Sequence, residues 1–196
     1  MSHESEDFEG GRQPRESTWP NHLLPSHPAL TGSVSESHQA ARRALVPSTT
    51  GLGQLFVLCE STYSRPWGLT CELIGTTIVL REARGPLLSV QDADIQKCEV
   101  TLERSMVVVL EETWKTMLYG VRYAPDRAIS VCDGTLFTFG YHRSGLGFLI
   151  GEAHSPPEHT RPGKLALLSE MLLDYVRTPD PKKMLRIEQA ALRCAL

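Results

Sequence analysis

The sequence predicts a mainly β, α+β fold: a small antiparallel β-sandwich or open barrel of about seven strands, closed by an amphipathic helix near the C-terminus. Three features predict it. From Thr70 to Ile150, short β-branched and aromatic runs follow one another, separated by Gly, Pro and Asp turns. Before residue 52 the chain is rich in Ser, Pro, His, Glu and Gly and shows no apolar period. After Lys164 the apolar spacing becomes that of a helix.

Residues 1–51 are expected to be a disordered tail, because such a composition buries too little apolar surface to offset its ordering entropy. Two stretches stand out. Trp19-Pro20-Asn21-His22-Leu23-Leu24-Pro25 is an apolar island of the kind that forms short docking motifs, with Trp19, Leu23 and Leu24 as its anchors. Ser35 to Val46 carries enough helix formers for a helical turn or two. The domain is expected over residues 52–177. Its strands are read as Leu55–Glu60, Leu69–Ile74, Thr76–Leu80, Pro86–Val90 and Ile95–Val100, the last running on into one long strand to Leu110. Glu111–Lys115 reads as a polar turn and Met117–Tyr123 as a further strand. Ala128–Cys132, Thr135–Tyr141 and Gly147–Gly151 follow, joined by an Asp133-Gly134 hairpin and an Arg143-Ser144-Gly145 turn.

The last third changes period. Ser155–Gly163 is a proline-stiffened linker. Leu165, Leu168, Leu172, Tyr175 and Val176 then fall on one face of a helix over Lys164–Arg177, ended by Pro179 and Pro181. Asp180 is a suitable N-cap, with Pro181 at the first position, for a second short helix within residues 178–196. This order of elements, over residues 54–177, resembles that of the pleckstrin-homology and phosphotyrosine-binding superfold, a likeness at the level of fold.

Charge and chemistry narrow the function classes. A net charge of −3 gives no electrostatic case for nucleic acid. No apolar run is long enough to span a bilayer. Five cysteines, odd in number, widely spaced and without Cys-x-x-Cys, favour neither a disulfide framework nor a zinc site, and predict a reducing compartment, cytoplasm or nucleus. No cofactor or metal is expected. Glu152, His154, Glu158 and His159, with His142 one strand away, have ligand chemistry but not ligand spacing. Cys132 with His142 or His154 is the candidate nucleophile-and-base set for an enzyme. Arg81, Arg84, Arg122, Arg127 and Arg143 at strand ends form a candidate rim for an anionic ligand, which is also the sole basis for peripheral membrane contact. The favoured function is a non-enzymatic adaptor or regulatory module that binds another protein, or itself, through a sheet edge or a helix groove. The alternatives are an enzyme built on Cys132, His142 and His154, or an oligomerising subunit of a larger complex.

Overall fold

The computed structural model describes residues 22–25, 36–47, 54–122, 134–143 and 147–195. The elements are β1 (Leu24–Pro25), α1 (Glu36–Leu45), β2 (Gln54–Ser61), β3 (Trp67–Glu72), β4 (Thr77–Ala83), β5 (Ile95–Thr101), α2 (Arg104–Tyr119), β6 (Thr135–Arg143), β7 (Gly147–His154), α3 (Arg161–Arg177) and α4 (Pro181–Ala195). Six strands form one antiparallel sheet in the order β7-β6-β2-β3-β4-β5, and the two-residue β1 pairs outside β7. The sheet is open. It neither closes into a barrel nor packs on a second sheet, which corrects the expected sandwich or barrel. Helices take the place of the second sheet. Leu55, Val57 and Cys59 of β2, Leu69 and Cys71 of β3, Ile78 and Leu80 of β4, and Phe137, Phe139 and Tyr141 of β6 share one face. That face is buried in one core with α2, α3 and α4.

The largest departure from the sequence reading is α2. The expected long strand to Leu110, the turn at Glu111–Lys115 and the strand from Met117 are one helix after β5. Val107-Val108-Val109 looks like strand by residue type. Its buried positions are Met106, Val107, Leu110, Thr113, Trp114, Met117 and Leu118, a period near 3.6 rather than two. Val107 is 0 % exposed while Val108 is 44 % exposed, so the run is cut by a helical face and propensity yields to packing. Gly120 ends the helix, its N–H donating to the carbonyls of Met117 and Leu118. Pro86–Val90 is also not a strand. Leu87–Ser89 is a 3₁₀ turn in which the Pro86 carbonyl accepts from the Ser89 N–H and hydroxyl, both at 3.0 Å.

The remaining elements follow their sequence signals. The β6–β7 pair covers Thr135 to His154, and its connecting residues, like those of 128–133, lie outside the described residues. Helix α3 begins where Thr160 accepts from the Gly163 N–H at 3.1 Å, and buries Leu165, Leu168, Leu172 and Val176. Helix α4 starts after Asp180, whose carboxylate accepts from the Lys182 N–H at 2.9 Å, and buries Ile187, Ala191 and Cys194.

Two pieces of the stretch read as a tail are part of this architecture. Helix α1 lies on the sheet face opposite α2–α4, where Leu45 meets Leu58 and Ala83. A Cβ on Gly68 would stand 2.5 Å from the Leu45 carbonyl oxygen, so glycine is what lets the helix approach. Arg42 clamps it, its guanidinium donating to both Glu60 oxygens at 2.9 and 2.6 Å. The second piece is β1. Average composition over 51 residues conceals two short apolar segments that each have a place to bury.

Candidate functional site

An open sheet has two edges, and each exposes a row of backbone donors and acceptors. They differ in what meets them.

At the β7 edge, the Ser155 N–H donates to the Thr135 carbonyl at 2.7 Å, which fixes the phase of the β6–β7 ladder. Gly151 and Ala153 turn their backbone groups toward β6, and Glu152 turns its groups outward. Leu24 stands opposite Glu152 and receives that outward row, while Pro25 stands opposite Gly151, where no N–H is needed. Leu23, one residue earlier, is 0 % exposed and belongs to the main core. Its carbonyl accepts from the Arg122 N–H at 3.1 Å, just past the end of α2. Its side chain fills a slot beside Val121 that exists because residue 151 is glycine. A Cβ there would lie 2.9 Å from both Leu23 Cβ and Val121 Cγ2. The β7 edge is thus covered by a short added strand, the chain's own residues 23–25, with Leu23 in a pocket beside Gly151 and Val121. Leu23 and Leu24 of the expected docking motif are both in that segment, and Trp19 lies outside the described residues.

At the β5 edge no further strand pairs, among the described residues. Leu102 N–H donates to the Thr76 carbonyl at 2.8 Å and Arg84 N–H to the Asp94 carbonyl at 3.1 Å. With the β4–β5 register these bonds make Gln96, Cys98 and Val100 the residues bonded to β4. Ile95, Lys97, Glu99 and Thr101 therefore turn their N–H and C=O outward. Lys97 Nζ and Glu99 Oε2 pair at 2.8 Å, on side chains that are more than half exposed. The hydrogen bond from Lys97 lowers the Glu99 pKa. Neither residue stood out in the sequence, because which backbone groups point outward depends on the β4 register and not on residue type.

The other candidate residues do not converge. Arg81 lies mid-sheet and donates to the Thr70 hydroxyl at 3.2 Å. Arg84 and Arg143 are at opposite ends of the strands, since Ala83 ends β4 where Thr135 begins β6 and Arg143 closes β6 at the far end. Arg122 caps α2, its guanidinium donating to the carbonyls of Tyr119 and Val121 at 3.3 and 2.9 Å. Arg127 and Cys132 lie outside the described residues. The arginines described form no common rim. His142 stands opposite Phe148, its ring 4.7 Å from the phenyl centroid, and His154 stands opposite Leu136. Six residues of strand, about 20 Å, separate the two imidazoles along the sheet, too far for one acid–base site. Burial lowers the His154 pKa.

Burial also pushes the thiols of Cys59 and Cys71 up to about 12, so both stay protonated at neutral pH and act as core packing rather than nucleophiles. A cleft of about 340 Å³ opens beside α3, floored by Trp67 and Leu173. Its Arg177–Glu82 pair at 2.6 Å is already satisfied, and its one cysteine is the inert Cys59. Burial, and then the nearby Glu158, raises the Glu170 pKa at its wall. Among the described residues no three His, Cys, Asp or Glu side chains could hold a metal ion, and no helix is long and apolar enough to cross a membrane. Comparison with known proteins adds no relative: no family model, no curated protein and no solved structure matches the chain.

Proposed function

We propose that the chain is a non-enzymatic protein-interaction module, an adaptor or regulatory domain, that takes an extended protein segment as an added strand at the β7 edge. The observation that supports it is the occupant already there: Leu24 on the outward row of β7, and Leu23 wholly buried between Gly151 and Val121. Main-chain pairing supplies sequence-tolerant affinity, and a pocket for one side chain supplies selectivity, here for leucine. The element order follows the pleckstrin-homology and phosphotyrosine-binding superfold only up to β5; helix α2 and the open sheet depart from it, so the reading rests on the β7 edge alone. The free thiols of Cys59, Cys71, Cys98 and Cys194 suit work in a reducing compartment, cytoplasm or nucleus.

The occupying strand is tethered, so a foreign segment has to displace it. The test uses full-length protein carrying Leu23→Ser, which loosens the native occupant, and a labelled synthetic peptide of residues 17–30. The variant binds the peptide at least tenfold more tightly than wild type does, about 1.4 kcal/mol. Adding Gly151→Val removes that binding. A folded Leu23→Ser variant that takes up no peptide makes β1 a structural strand only and refutes the module.

A further inference from the structure

We infer that the β5 edge is a second, independent interaction surface and that its partner is the β5 edge of another copy of this chain, paired antiparallel about Cys98. The outward backbone groups belong to Ile95, Lys97, Glu99 and Thr101. Antiparallel pairing bonds outward residue to outward residue. Three two-fold registers near the middle of β5 satisfy this. Centred on Lys97, the pairing sets lysine opposite lysine. Centred on Glu99, it sets glutamate opposite glutamate. Centred on Cys98, it sets Lys97 of each copy opposite Glu99 of the other, and Ile95 opposite Thr101, twice over. Like charges facing across a ladder destabilise it and opposite charges support it. Only the third register is self-complementary, which is what an isologous two-fold interface requires.

The side chains suit this. Lys97 and Glu99 stand on one face, more than half exposed, and pair with each other, with Arg81 adding a weaker attraction on Glu99. Exchanging the one pair within each copy for two pairs between the copies leaves both lysines and both glutamates partnered. Cys98 bonds to β4 through its backbone, so across the interface it meets its symmetry mate in a non-hydrogen-bonded position. There the two Cα atoms lie about 4.5 Å apart, within the span a disulfide bridges. Cys98 is half-buried and unpaired. In the register centred on Lys97 it would face Gln96, and in that centred on Glu99 it would face Val100.

Charges on a sheet edge have an opposite use, keeping strands apart, and the experiment separates the two. Full-length protein is followed by sedimentation equilibrium over a concentration series, under reducing conditions and low salt. Wild type associates to a dimer. Lys97→Glu weakens the dimer about tenfold or more, and Lys97→Glu with Glu99→Lys restores it. Thermal unfolding confirms that each variant is folded. A wild type that stays monomeric at every concentration overturns the inference and assigns the charges to keeping strands apart. So does a dimer indifferent to Lys97→Glu, or one that the double charge reversal fails to restore. A dimer lost on Leu23→Ser but not on Lys97→Glu belongs to β1 exchange at the other edge and also overturns it. Register has its own readout. Oxidised glutathione, itself reduced to two thiols, joins the Cys98 residues of a dimer centred there, and Cys98→Ser leaves the dimer intact but uncrosslinked. A charge-sensitive dimer that gives no Cys98 crosslink refutes the register.

Discussion

At the β7 edge the outward backbone row meets Leu24, and Leu23 beside it is 0 % exposed. At the β5 edge the outward row of Ile95, Lys97, Glu99 and Thr101 meets no strand among the described residues, and its charged side chains stand in solvent. One edge is closed by apolar burial and the other carries exposed charge. The two devices differ in kind. Burial of a leucine in the core contributes to stability whatever strand sits opposite. An exposed ion pair contributes little to stability, and its information lies in which neighbour it accepts or repels.

Truncation to alanine separates the two edges most strongly. Leu23→Ala removes a wholly buried side chain and should destabilise the chain by about 2–5 kcal/mol, comparable with Leu168→Ala in the middle of α3. Lys97→Ala should shift stability by about 0.5 kcal/mol or less. Urea unfolding of the three variants checks this, and equal midpoints for Leu23→Ala and Lys97→Ala erase the distinction. A smaller effect sharpens it. Gly151→Ala places a methyl 2.9 Å from Leu23 and Val121 and should cost about 1–3 kcal/mol. In a background of Leu23→Gly and Val121→Ala, which removes both Leu23 Cβ and Val121 Cγ2, most of that loss should vanish. Additive losses in that cycle would mean the glycine serves something other than the pocket.

The smallest effect is one of pH. Burial lowers the His154 pKa, two residues along β7 from the Leu24 pairing, so the folded chain binds fewer protons there than the unfolded chain. That contribution is complete above the unfolded value, about 6.5, and is lost as pH falls through the lowered folded value. Thermal midpoints of wild type should therefore drop more between about pH 7 and pH 5 than those of His154→Gln. Parallel curves would show that the imidazole reaches water.

How much of this could be read from the sequence depends on what each element answers to. The stripe Leu165, Leu168, Leu172 and Val176 is a local pattern, and α3 buries it. Thr135–Tyr141 and Gly147–Gly151 are local too, and β6 and β7 form on them. Val107-Val108-Val109 carries a strand's residue types on a helix's spacing, and only the wider set from Met106 to Leu118 shows which one governs. Counting α2 as strands is what made an open sheet look like a barrel. The site was half legible. Leu23 and Leu24 stand out as apolar residues in a polar stretch, but the glycine that admits Leu23 lies 128 positions further on. Lys97 and Glu99 look like any exposed charges until the β4 register turns their backbone outward.

Strand β2 lies inside the sheet, and its two neighbours reach it on different schedules. β3 follows after a short turn, whereas Gln54 meets His142 of β6, 88 positions along the chain. Closing so long a loop adds little to the free energy of folding, because the entropy of closure grows only with the logarithm of length. It tells instead on the rate, since distant pairings must be found before they reward the search. Until β6 arrives, β2 is itself a bare edge: Gln54, Phe56, Leu58 and Glu60 turn their N–H and C=O toward the missing neighbour, with Glu60 the one charge among them. The hazard of this fold therefore belongs to its assembly, at a seam that is interior once folding is complete. A change that delays the β6–β7 hairpin can lower the yield of refolding through aggregation while leaving the equilibrium stability of the finished protein untouched.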